Sequence, residues 1–192
     1  AAECFGISLD QNFKRPYFAR SISDFWHRWH ITLGTWMKDY VFYPFSLSKG
    51  MNKFGKFCKK HFGKHVSRVL PVCIANLLVF FLVGVWHGPA WKFIVYGLYN
   101  GIIIAASNLF SPFYGEMARK LHIPVESRSW MVVRILRTFL LVNVSWYFDM
   151  AVSLGAALTM MKNTVTGFSL AALWNGSLLR LGLDLKDYAA LA

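Results

Sequence analysis

Apolar residues along this chain fall into long blocks rather than an even scatter. From Val69 to Trp91 there is no Asp, Glu, Lys or Arg, and Phe93 to Gly115 is equally free of charge. Each block approaches the roughly 20 residues that cross the hydrocarbon core of a bilayer as a helix. The pattern predicts spans near residues 69–87, 92–111 and 131–149. Residues 21 to 41 follow another pattern. Ser21 followed by Asp24 fits a helix start, and Pro44 offers a stop. Between them Phe25, Trp29, Leu33, Trp36 and Tyr40 recur every three or four positions as one aromatic stripe. Asp24 and Arg28 are spaced to pair at i and i+4. With Arg28, Lys38 and Asp39 interrupting it, such a helix is too polar to cross lipid alone, so it is expected to lie obliquely in the interface or to re-enter the protein interior.

Composition strengthens the membrane reading. The 192 residues are 56% hydrophobic, 17% aromatic and only 16% charged, against roughly 25% charged in soluble domains. Mean hydropathy is +0.39. The fold class expected is therefore all-α, a polytopic transmembrane helical bundle with an oblique or re-entrant aromatic helix. The opening Ala-Ala-Glu-Cys has no features of a signal peptide and reads as a cut end. Cys4, Cys58 and Cys73 are an odd set without paired spacing, which argues against a disulfide framework.

Net charge is +12, and its placement matters more than its size. Lys49, Lys53, Lys56, Lys59, Lys60, Lys64 and Arg68 fall in one acid-free stretch before the first span, expected as a cytoplasmic loop over 49–68 by the positive-inside rule. The 69–87 helix would then run outward, the next would return, and the connection carrying Arg119, Lys120, Arg128, Arg134 and Arg137 would again be cytoplasmic. A basic cluster beside spans marks topology and contact with anionic membrane lipid, so nucleic acid is set aside as a partner.

His87 is the candidate with the most chemistry. An imidazole in a charge-free apolar segment can act as a general base for a hydroxyl near the membrane midplane, or can hydrogen-bond a carbonyl where helices meet; the segment alone leaves both open. Spacing favours interfacial polar roles for His27 and His30. Gly50 to Lys56 mimics a phosphate-binding loop, but Phe57 stands where Ser or Thr would bind magnesium. Cys58, His61, His65 and Cys73 match no familiar metal-site spacing. Asn76, Asn100 and Asn143 sit in apolar segments, where hydrogen bonds between helices are expected.

Three stretches carry a family resemblance: Asn12-Phe-Lys-Arg-Pro-Tyr17, then Ser21-Ile-Ser-Asp-Phe-Trp-His-Arg-Trp-His30 continuing to Tyr40, then Gly84-Val-Trp-His-Gly-Pro-Ala-Trp91. Together they resemble the membrane-bound O-acyltransferases, in the bacterial branch that holds the alginate O-acetylation and teichoic acid D-alanyl transfer proteins. Leu136 to Trp146 is similar to that branch as well. Gly34 departs from the Ser of many relatives, and the Lys-rich segment replaces a Gly-Gly-Asn-Arg-like turn of the alginate type, which leaves the acceptor polymer open.

The resemblance implies residues 1–192 as the C-terminal part of one acyltransferase domain. Residues 1–48 would be its interfacial aromatic region, 49–68 a basic loop, and 69–192 its spans and C-terminal segment. It implies His87 and His30 as catalytic, with Trp26, Arg28, Trp29, Trp36, Asp39, Tyr40, Trp86 and Trp91 as candidates to line the substrate tunnel. The implied reaction moves an acetyl or D-alanyl group from a thioester donor, acyl-CoA or an acyl carrier protein on the cytoplasmic side, to a hydroxyl of an envelope polysaccharide or teichoic acid. An accessory extracytoplasmic protein is a further expected partner, and no tightly bound cofactor is expected. The setting implied is a multi-pass protein of the cell membrane. Two other classes remain: a transporter or flippase relaying protons through intramembrane histidines, and a scaffold docking through the Lys-rich stretch.

Overall fold

The computed structural model describes residues 2–169 and 171, all of it helix, turn and connection apart from a single isolated bridge between Phe13 and Trp29. Among the described residues eight α-helices follow one another: α1 (Ile22–Trp26), α2 (Ile31–Met37), α3 (Tyr43–Ser46), α4 (Lys49–His87), α5 (Trp91–Leu109), α6 (Ser111–Lys120), α7 (Arg128–Met150) and α8 (Leu154–Thr166). Two are long and apolar enough to cross a membrane, α4 and α7, and α5 with α6 passes the same test as a pair bent by 60°. The bend falls where Pro112, which lacks an N–H, occupies the first turn of α6. The all-helical bundle expected from the apolar blocks is thus the fold.

The aromatic region is not one helix. Ser21 caps α1 as its sequence suggests, its hydroxyl accepting from the Asp24 N–H at 3.0 Å. The helix then stops at Trp26, and the chain turns through His30 in the left-handed region (φ 47°, ψ 53°) before α2 begins. A five-residue π-helical stretch, Lys38–Phe42, runs from α2 into α3, and Pro44 sits in the first turn of α3 instead of ending a helix. The aromatic stripe divides accordingly. Phe25 is buried and stacks on Trp29, whereas Trp36 and Tyr40 stack on each other and are exposed.

The basic stretch is a helix, not a loop. Residues 49–68 lie within α4, which is broken at Gly63 (φ 81°), a conformation open to glycine and strained for other residues. The two halves fold back on each other, since a Cβ placed on Gly55 would lie 3.7 Å from Pro71. Gly55 and Cys58, one turn apart, face this seam while Lys53, Lys56, Lys59 and Lys60 remain exposed. Cys73 acts as the small apolar residue expected, its thiol 3.5 Å from the Ala105 carbonyl.

Small residues bring α4 and α5 together. A Cβ on Gly97 would collide with the Phe80 carbonyl and one on Gly84 with the Phe93 carbonyl, so the two backbones touch where side chains normally intervene. Asn100, fully buried, joins a third element by accepting from the Trp26 indole N–H at 3.3 Å, as expected of a polar residue in an apolar helix. Against this hairpin pack Ile22, Phe25 and Val142, while Val132, Leu136 and Leu140 of α7 face outward. Gly97→Val is therefore expected to force the hairpin apart and lower stability by about 1–3 kcal/mol. Gly115→Ala, where nothing lies within 4 Å, is expected to leave it unchanged or slightly raised. Thermal unfolding of both variants in detergent checks the contrast.

Candidate active site

The Gly84–Trp91 motif forms the tip of the α4–α5 hairpin. His87 is the last residue of α4, so it stands at an end of that helix and not at its middle. The turn needs Gly88: its φ is 152°, and a Cβ there would come within 2.8 Å of the Phe93 ring, which leaves no room for a side chain. The tip holds the His87 ring edge-to-face with Trp86 (centroids 5.1 Å) and Tyr96 (5.0 Å).

Across from the tip, His87 Nδ1 lies 3.1 Å from Asp149 Oδ1 at the far end of α7, each side chain about one-fifth exposed. A carboxylate this close to Nδ1 favours the proton on that nitrogen, which leaves the Nε2 lone pair as an acceptor. Lys92 holds Asp149 in place through the main chain, Nζ donating to the carbonyls of Asp149 (2.8 Å) and Ala151 (2.6 Å). A cation on the last carbonyls of a helix also meets the negative end of its dipole.

The other two motifs build the second wall. Asn12 Oδ1 accepts from the Thr32 hydroxyl (2.7 Å) and N–H (3.1 Å), the Ile31 N–H donates to the Asn12 carbonyl, and the Lys14 N–H donates to the Arg28 carbonyl. These bonds clamp residues 28–32 and over-determine the left-handed conformation of His30, a geometry uncommon outside glycine and concentrated at functional sites. The His30 ring packs on Phe13 (5.1 Å) and Trp86 (6.2 Å). Trp86 thus touches both imidazoles.

Behind His30 opens a cavity of about 370 Å³ whose wall includes Trp26, Trp29, His30, Asn76, Phe80 and Val83. His87 is not part of that wall. The histidines therefore flank Trp86 from two sides instead of facing a single chamber. Trp36 and Tyr40 are exposed outside the cavity, and so is Asp39. Trp91 is 77% exposed at the hairpin tip. Arg28 is held away by Asp24, with Nε 2.8 Å from Oδ1 and Nη2 3.2 Å from Oδ2, so the i, i+4 pair forms as spaced.

Partial burial alone would raise the Asp24 carboxyl, but hydrogen bonds from Arg28 and the Arg20 N–H and the Arg28 charge outweigh it and hold the group below its ordinary range. A carboxyl lowered on folding stabilises at pH above its unfolded value, and that contribution fades as pH falls through the folded one. Wild type is accordingly expected to melt above Asp24→Asn at neutral pH, with the gap closing below about pH 4. Melting curves across that range test it.

Sequence reasoning missed Asp149, Lys92 and Tyr96. Asp149 was findable, because it is an acidic residue ending an apolar span, the criterion that singled out His87. Tyr96 carried no local signal; its buried hydroxyl has no hydrogen-bond partner among the described residues.

No family model matches the chain. Among curated proteins it is 34% identical over 163 residues to a peptidoglycan O-acetyltransferase of Helicobacter pylori, covering 84% of this chain and 26% of that protein. It is 34% identical over 143 residues to a teichoic acid D-alanyltransferase of Bacillus subtilis, covering 74% of this chain and 32% of that one. A probable alginate O-acetylase AlgI of Azotobacter vinelandii is 32% identical over 155 residues, 81% of this chain and 26% of the relative. By sequence the chain is a relative of the bacterial membrane-bound O-acyltransferases. It spans about a quarter to a third of the length of these three relatives. This acyltransferase relationship bears out the resemblance carried by the three motifs.

Proposed function

We propose that this acyltransferase relative forms the histidine-bearing part of a multi-pass membrane enzyme that moves an acyl group, acetyl or D-alanyl, from a thioester to a hydroxyl of an envelope polymer. One observation carries the reading: a histidine oriented by a carboxylate through Nδ1, beside a second histidine and a cavity. Acyl transfer needs a base for the hydroxyl, donors for the tetrahedral oxyanion and exclusion of the water that would hydrolyse the thioester.

In this mechanism Nε2 of His87 takes the proton of the acceptor hydroxyl as its oxygen attacks the thioester carbon. Asp149 keeps the imidazole in the required tautomer and stabilises the imidazolium that forms. His30 or the Trp86 indole N–H stabilises the oxyanion, and the thiol leaves with the proton returned by His87. Access fits this assignment. The cavity wall on α4 runs from Val83 back to Asn76, about 10 Å at 1.5 Å per residue. If the basic half of α4 is cytoplasmic, as the positive-inside rule has it, the His87 end faces outward to the acceptor. The cavity then leads inward toward the donor side. The transport alternative asks for ionisable groups filed through the spans, whereas His87, Lys92 and Asp149 gather at one end of the bundle.

Mass analysis of the envelope polymers, from cells with and without the full-length protein, tests the reading and names acyl group and acceptor together. Loss of one ester class without the protein supports it. Identical polymers, with the protein present in the membrane of the control cells, overturn it.

A further inference from the structure

A second cavity lies between the Arg15–Arg20 turn and the first turns of α7. It is about 370 Å³ in volume and lined by Arg15, Phe18, Arg20, Arg28, Met131 and Ile135. Its lining combines three arginines with the apolar side chains of Phe18, Met131 and Ile135. Among the described residues Asp24 is the carboxylate paired within this group, and it is taken by Arg28. The Arg15 and Arg20 guanidiniums have no carboxylate partner among those residues.

The local backbone holds these two arginines in place. Arg15 sits in the left-handed region (φ 46°, ψ 57°) directly before Pro16, a position where proline restricts its predecessor to extended backbone, so the conformation is strained and kept by its surroundings. The Arg20 main chain is gripped from both sides: its N–H donates to Asp24 Oδ2 at 2.9 Å and its carbonyl accepts from Arg137 Nη2 at 3.2 Å. Its side chain is left over for a ligand. Met131 and Ile135 belong to the first two turns of α7, a helix fit to cross the membrane, which puts the pocket beside the end of a span, the level of lipid headgroups.

We propose that this pocket binds one anionic phospholipid. The Arg15 and Arg20 guanidiniums grip the phosphate oxygens, for which their planar forks are suited, and Phe18, Met131 and Ile135 cover the first carbons of the acyl chains. Both parts of the lining are needed for this ligand: a free phosphate uses the arginines alone and a neutral lipid the apolar side chains alone. The pocket is separate from the acyl-transfer site: no residue lines both it and the cavity behind His30, and His87 lines neither.

The test is native mass spectrometry of delipidated full-length protein in neutral detergent, titrated with phosphatidylglycerol, with diacylglycerol of the same chains, or with inorganic phosphate. Phosphatidylglycerol is expected to add one tight copy. Arg15→Gln with Arg20→Gln is expected to weaken it at least tenfold, while Lys53→Gln with Lys56→Gln on the basic helix does not. Equal loss from the lysine pair, or no loss from the arginine pair, overturns the proposal. If inorganic phosphate displaces the lipid at equal concentration, the acyl-chain part is overturned. If diacylglycerol binds as tightly, the phosphate part is. Should the glutamine pair fail to fold, Arg20→Lys keeps the charge and loses the fork; several-fold weaker lipid binding supports the proposal and unchanged binding overturns it.

Discussion

His87→Ala in the full-length protein is expected to remove acyl transfer while the protein still folds and inserts. A general base contributes roughly a hundred- to ten-thousand-fold to rate, and among the described residues no second group stands ready to take the proton from the same position. The fold depends little on this ring. The His87 side chain ends α4 about one-fifth exposed, and its ion-pair contact among the described residues is the 3.1 Å approach to Asp149. The close α4–α5 contact is made by Gly84, Gly97 and Gly101, which the substitution leaves alone. The check is ester content of purified polymer after incubation with donor and either enzyme, alongside the melting temperature of each. Near wild-type turnover by the variant would falsify the base assignment. A variant that no longer inserts would return His87 to the hydrogen-bonding role its segment also allowed.

Asp149→Asn is expected to lower kcat by about two orders of magnitude or more, with KM for the donor little changed, because the residue acts on the base and not on the substrate. Two orders correspond to about 2.7 kcal/mol of transition-state stabilisation. Asparagine has nearly the same shape, but it carries no charge for the imidazolium and permits the wrong tautomer. The grip of Lys92 on this end of α7 survives the change, since Lys92 bonds the carbonyls of Asp149 and Ala151 and not the carboxylate. A fall in kcat without a fall in stability therefore separates positioning from packing. Partial recovery in Asp149→Glu would strengthen the assignment, and full activity in Asp149→Asn would end it.

The cavity behind His30 and the Asp149 contact illustrate two kinds of information. The apolar helical stretches ending at His87, Leu109 and Met150, the Ser21 cap and the Asp24–Arg28 pair were legible because each depends on residues near in sequence, where periodicity, charge and capping chemistry act locally. His87 stood out for the same reason, as one polar group in an apolar block. The division of residues 21 to 41 at His30 was not legible. Their spacing suits an unbroken helix, and the break is imposed from outside by Asn12 and Lys14, which bond the backbone of residues 28–32.

The fold-back of the basic helix at Gly63 was hidden in a similar way. Lysines beside a span say which side of a membrane they prefer, but not whether their backbone is helical; Gly55 and Cys58 matter only once they meet the other half of α4. The sequence by itself thus determined the all-helical class, the apolar blocks and His87 as a polar group within one of them, since burial in lipid and helix formation are written in composition and period, whereas His30 came forward only through the family resemblance. The tertiary structure alone decided which groups meet. It set Asp149 against His87, placed Trp86 between the two imidazoles and kept His87 out of the His30 cavity, because contacts between distant segments follow from how helices pack and leave no periodic trace along the chain.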